Sequence, residues 1–129
     1  MTLRTSAIAL AAALAVTPAA AQERAAGLRP DATSAEAGFW SVMDKAEAEA
    51  KTRADLNTDP ALNAYVRGVM CKVAGAHCPD LRVYVMDRPF MNASRAPNGY
   101  SEVWSGLLLR ASDEAELASV VGLRVEAEA

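Results

Sequence analysis

LRVYVMDRPFMNASRAPNGYSEVW, residues 81–104, decides the fold, because here the hydrophobic period changes from helical to alternating. Leu81, Val83 and Val85 alternate with Arg82, Tyr84 and Met86, which predicts a strand with one face inside. Asp87-Arg88-Pro89 interrupts it, and residues 90–94 (FMNAS) predict a second short strand. Asn98-Gly99 inside APNGY is a turn signal, because both residues tolerate positive φ. Residues 101–104 (SEVW) are then the returning strand. Gly106 leads into a short helical LLLR and is expected where backbones approach closely. Trp104 is expected in the core.

Working outward, the flanking segments are helical. Thr33 stands three before Glu36, a capping-box spacing. Phe39, Val42, Met43, Ala46 and Ala50 follow at helical intervals, with Glu47, Glu49, Lys51 and Arg53 on the polar side, which predicts a helix over about 34–54. Phe39 and Trp40 are expected to anchor packing. Asn57-Thr58-Asp59-Pro60 ends this helix and starts another, with Asp59 as cap and Pro60 in the first turn, where its missing N–H is no loss. Leu62, Tyr65, Val66, Val69, Met70 and Val73 form one stripe of a helix over 60–74, and Gly75 stops it. Asp113, with Glu116 three residues later, caps a last helix. The order helix, helix, strand, hairpin, helix predicts an α+β fold with a small, mostly antiparallel sheet.

The N-terminus is a different kind of segment. Arg4 precedes an apolar run from Ala7 to Val16, then Pro18 and the small-residue site Ala19-Ala20-Ala21. This predicts a secretory signal peptide over 1–21; a membrane helix would need about 20 apolar residues, roughly twice this run. Residues 22–33 lack periodicity and are expected to be a flexible leader. The remainder, 34–129, is one domain. Export to the periplasm or beyond follows, with no stable membrane anchor after cleavage. The chain holds 13 basic and 16 acidic residues, an acid excess that argues against a nucleic-acid surface. Cys71 and Cys78 are the only cysteines, and an even count in an exported chain favours a disulfide. The competing reading is a metal site with His77, the single histidine, but zinc needs three or four suitably spaced ligands.

Three stretches together carry a family resemblance: DPALNAYVRGV (59–69), VYVMDRPFMNASRAPNGYSEVWSGLLLR (83–110) and DEAELASVVG (113–122). In this order they resemble the catalytic domain of the HtpX and CAAX-prenyl-endopeptidase type of zinc metallopeptidase, metallopeptidase family forty-eight. The nearer likeness is to its exported, periplasmic branch, and it covers about residues 59–122. The resemblance implies an incomplete zincin-like catalytic domain, zinc as cofactor, and a peptide or protein substrate. It also implies that Asn92, Ala93 and Ser94 form a substrate-binding edge strand at the rim of the cleft, where main-chain pairing supplies affinity. Asn92 is equally readable as a turn residue.

In that family the helix corresponding to DEAELASVVG runs directly into H-E-x-x-H. Two histidines four apart share a helix face and hold one zinc ion, and the Glu serves as general base toward the bound water. The corresponding positions here are Leu123, Arg124 and Ala127, so no catalytic or metal residue is assigned and no zinc is expected to bind the chain as given. Glu126 and Glu128 read as a solvated acidic end, and no histidine is placed to activate Ser105 or Cys71 as a nucleophile. The change after Gly122 reads as a shifted reading frame, a misplaced gene end or a pseudogene product. Apolar sides of Leu117, Val120 and Val121, and in part of Leu62, Val66 and Val69, are then expected to be uncovered and the product marginal. The alternative is a small exported, non-enzymatic interaction module.

Overall fold

A computed structural model describes residues 24–127, with side chains through Gly122; the predicted signal peptide lies outside the described residues. The fold is α+β, with four α-helices, one 3-10 segment and a three-stranded sheet among the described residues.

Helix α1 spans Ala35–Ala50. Its cap is Ser34, one residue later than the capping box predicts: the Ala37 N–H donates to Ser34 Oγ at 3.1 Å. Thr33 is taken by Asp31, whose Oδ1 accepts both its N–H at 2.9 Å and its hydroxyl at 2.6 Å. The helix also ends earlier than the predicted residue 54. The Thr52 hydroxyl closes onto the Glu49 carbonyl at 2.9 Å, and the chain then turns to run beside the sheet, where the Asn57 N–H meets the Val85 carbonyl at 2.9 Å. Residues 24–33, the described part of the segment 22–33 read as a flexible leader, form no helix or strand but are tied down. Arg24 pairs with Glu36, Arg29 with Asp44 at 2.5 Å, and both guanidinium groups stack over Trp40. The Gly27 N–H donates to both carboxylate oxygens of Asp80, at 2.8 and 3.1 Å.

Helix α2, Pro60–Ala74, has the predicted limits. Asp59 Oδ1 accepts from the Leu62 N–H at 2.9 Å, and Gly75 ends the helix at φ +57°. Val66, Val69 and Met70 are buried, whereas Tyr65 lies on the exposed flank of the stripe. The 3-10 segment Gly75–Asp80 follows, clipped to α2 by the disulfide Cys71–Cys78 with Cα atoms 4.6 Å apart. Both cysteines are thereby consumed, which removes the metal-site reading with His77.

The strands are β1 (Arg82–Met86), β2 (Ala93–Arg95) and β3 (Tyr100–Trp104), in the order β1-β3-β2. β2 and β3 pair antiparallel, but β1 and β3 pair in parallel, so the sheet is mixed where a mostly antiparallel one was expected. The reason is the path of residues 87–92. They cross the end of the sheet before β2, and the turn at Ala96–Gly99 then brings β3 back between β1 and β2. The crossing is fastened to the start of α3 (Ser105–Leu108), where the Gly106 N–H reaches the Arg88 carbonyl at 2.7 Å. Phe90 and Met91 ride on this crossing and are exposed, so the second strand is shorter than 90–94 predicts.

Parallel register puts Val83 and Val85 on the same face as Val103 and Ala93. That face packs against α2 and against α4 (Glu114–Ala127), forming the main core with Val66, Val69, Leu117 and Val121. Asp113 caps α4 as predicted: its Oδ1 accepts the Glu116 N–H at 2.8 Å, and Glu116 Oε2 accepts the Ser112 N–H at 2.7 Å. The opposite face carries Tyr84, Met86, Ala96, Tyr100 and Trp104 against Ala46 and Ala50 of α1. The sheet is therefore covered on both sides. This corrects two expectations. Met86, placed on an outer face by alternation, is 0% exposed. Leu117, Val121, Val66 and Val69, expected to lie uncovered, are each at most 3% exposed because α2 and α4 close on one another.

Candidate functional site

The strand expected to meet substrate is divided by its own pleat. In the antiparallel register Ala93 lies opposite Val103, Ser94 opposite Glu102 and Arg95 opposite Ser101. Asn92 is half-buried, and its carbonyl accepts the Trp104 N–H at 3.0 Å, so it continues the ladder. Ala93 points to the α4 side and is 3% exposed. Ser94 points to the α1 side and is exposed. Of the three, Ser94 is the one open to an incoming group.

Ser94 belongs to a cleft of about 300 Å³ between α1 and the β2–β3 hairpin. Phe39 and Met43 form the helix wall; Ser94, Arg95, Ala96, Pro97 and Tyr100 form the hairpin wall. The hairpin holds this shape because Gly99, at φ +90°, brings its backbone against the Asp80 carbonyl, where a Cβ would come within 2.0 Å. Buried Asn98 closes the turn: its Oδ1 accepts the Tyr100 N–H at 3.0 Å, and its Nδ2 donates to Asp44 of α1 at 2.9 Å. The amide thus ties hairpin to helix.

Next to the cleft, α1 is fastened to the sheet by a polar cluster that the sequence pattern misses. Glu47, expected on the solvent side, is 5% exposed. Arg82 Nε–H donates to both its oxygens at 2.8 Å, and the Tyr84 hydroxyl donates to Oε1 at 2.6 Å. Burial alone pushes the Glu47 carboxyl up, but the Tyr84 and Arg82 hydrogen bonds outweigh it and hold it below the usual carboxylate range. Burial, then the Glu47 carboxylate, pushes the Tyr84 phenol up to about 12. Beside them Glu102 accepts from the Tyr100 hydroxyl and, at 3.1 Å, from the Trp104 indole. Trp104 packs on the second core as expected, with the Arg88 guanidinium 4.5 Å above its ring. Both carboxylates are hydrogen-bonded within the cluster, and Glu47 joins α1 to β1.

No family model, curated protein or solved structure matches this chain.

The predicted motif positions Leu123, Arg124 and Ala127 fall within the last turns of α4. Among the described residues no group of three or more His, Cys, Asp or Glu side chains is placed to hold a metal ion. His77 Nδ1 lies 3.5 Å from Asp80, and the Ser105 hydroxyl donates to the Arg88 carbonyl at 3.0 Å, so neither belongs to a nucleophile–base pair. Among the described residues no helix is long and apolar enough to cross a membrane.

Proposed function

We propose that residues 34–127 are the framework of an exported zinc metalloendopeptidase domain that lacks its metal ligands, so the chain as given does not hydrolyse peptides. The observation that carries this reading is the contact of α4 with β2. In the family the sequence resembles, the helix entered by DEAELASVVG bears zinc, and the strand at Asn92-Ala93-Ser94 lies along the substrate. A zinc-bound water can attack a peptide carbonyl only if metal helix and substrate strand are neighbours, and here the corresponding elements are neighbours. The side-chain chemistry at the motif positions does not fit zinc. Leu123 and Ala127 have no lone pair to donate, and Arg124 is a cation where a general base is needed. The apolar run before Ala21 and the disulfide both suit export to an oxidising compartment.

Two measurements test this. The nucleotide sequence beyond codon 122 is translated in the other two frames; an H-E-x-x-H continuation is expected, and its absence from both sinks the protease lineage. Metal analysis of the purified chain is expected to find no bound zinc, and a stoichiometric ion overturns the claim of inactivity. The second reading, a small exported interaction module, is favoured by one observation: α2 and α4 close the apolar core without a further element. A soluble, cooperatively folding chain with no alternative-frame motif would select it.

A further inference from the structure

We infer that the cleft between α1 and the β2–β3 hairpin is a pocket for one large apolar side chain of an extended peptide. This rests on the proposal that β2 lies along the substrate. Phe39 is the anomaly that points here. Its helical spacing assigns it to the core stripe, yet it is 49% exposed, and what it faces is the cleft rather than the sheet. The opposite wall belongs to the strand segment assigned to substrate. Register sends the Ser94 and Ala96 side chains to the α1 face, and both line the cleft. β2 ends the strand order, so a peptide lying along it would send alternate side chains to that same face. A residue aligned with Ser94 or Ala96 would then insert between the hairpin and Phe39 and Met43. The chemistry of the walls selects what enters. Phe39, Met43, Ala96 and Pro97 are apolar, the Tyr100 hydroxyl is already engaged by Glu102, and Ser94 and Arg95 supply the polar part of the lining. A leucine-sized side chain would bury more apolar area against these walls than a small polar one. About 300 Å³ lies at the small end of ligand pockets, suited to one leucine- or phenylalanine-sized group and its adjoining main chain.

The test is titration of the ¹⁵N-labelled chain with a blocked Gly/Ser peptide carrying one central leucine, and with the same peptide carrying serine instead. Saturable shifts at the Phe39, Met43, Ser94 and Ala96 amides are expected for the leucine peptide, with binding about tenfold weaker or more for the serine peptide. Phe39→Ser, at a half-exposed site that leaves the core intact, is expected to lower leucine-peptide affinity severalfold, and Phe39→Leu to retain it. Equal affinity for the two peptides, or shifts centred on Phe90 and Leu109 instead, overturns the pocket. Leucine-selective binding without an alternative-frame zinc motif supports the pocket and removes the protease lineage; a motif without such binding does the reverse.

Discussion

Arg82 and Glu47 meet as a fork on a carboxylate, with the Nε and one terminal nitrogen of Arg82 each 2.8 Å from Glu47 oxygens, and they join β1 to α1. Glu47 is buried, while the Arg82 side chain keeps 39% exposure. Removing one partner of a fully buried pair costs about 3–5 kcal/mol; the access of Arg82 to water reduces this, so Glu47→Ala is expected to cost about 2 kcal/mol. The shift of the urea midpoint measures it. A loss below about 0.5 kcal/mol, the range of ordinary surface changes, would show that the pair is not what holds α1 to the sheet.

The same carboxylate contributes to the acid limb of stability. Its folded pKa lies below the ordinary 4.5, so its contribution is complete above that value and disappears as pH falls through the lower folded value. Thermal midpoints should be level from pH 7 to about 5 and drop below about pH 4, with a shallower drop in Glu47→Gln. Tyr84 has the opposite sign. Raised to about 12 from 10.0, it contributes stability that is present below pH 10.0 and lost as pH rises toward about 12. Tyr84→Phe should remove that alkaline component, and an unchanged limb would reject the assignment.

Two glycines should respond in opposite directions. A Cβ on Gly106 would stand 2.3 Å from the Pro89 carbonyl oxygen and 2.4 Å from that of Phe90, so Gly106→Ala must displace the crossing loop. A loss of about 2 kcal/mol is expected. Gly68, exposed inside α2, has nothing within 4 Å of its added Cβ, and Gly68→Ala should gain about 0.5–1 kcal/mol from helix propensity. Denaturant midpoints of the two variants moving the same way would refute this reading of the backbone.

These positions also mark what the sequence could and could not convey. The limits of α2 follow from Asp59, Pro60 and Gly75 because capping is local chemistry, and the cap of α4 follows from Asp113 and Glu116 for the same reason. Parallel pairing of β1 with β3 depends on where residues 87–92 cross, which no local pattern encodes. The burial of Glu47 escapes the sequence pattern because an amphipathic stripe cannot distinguish a charged residue in water from one meeting a cation across a layer boundary. The available signal was Arg82 and Tyr84, both polar-ended and on one face of β1, which need a partner once that face is covered. For the candidate site, Ser94 was legible as part of a strand, but the role of Phe39 and Met43 as its facing wall required the α1 layer to be placed first.

The disulfide is expected to act mainly on the unfolded chain. Closing the short loop from Cys71 to Cys78 corresponds to about 2.5 kcal/mol of lost chain entropy. Reduction, or Cys71→Ser with Cys78→Ser, should lower the urea midpoint accordingly. It should leave β1 and β3 intact, since both pack through residues outside the clipped segment. Mass change on alkylation without reductant provides the control: two reactive thiols in the purified chain would mean the bridge is not formed.

Helix α4 runs through Ala127, so positions 123 and 127 are four residues apart on one helix face. Substituting Leu123→His, Arg124→Glu and Ala127→His together would write H-E-V-E-H into this face. Two imidazoles at that spacing can share one zinc ion, although with water filling the remaining positions the affinity should fall well short of a three-ligand site. The expectation is about one weakly held zinc per chain for the triple variant and none for the parent, read by metal analysis after equilibrium dialysis. Peptide hydrolysis should stay near background, because a site without its third protein ligand holds the metal loosely and fixes its bound water poorly. A variant that folds with the parent circular-dichroism spectrum yet takes up no zinc would mean that α4 does not present this face as a zinc helix does. That result would count directly against the proposed lineage, because neither loss of fold nor loss of helix would explain it.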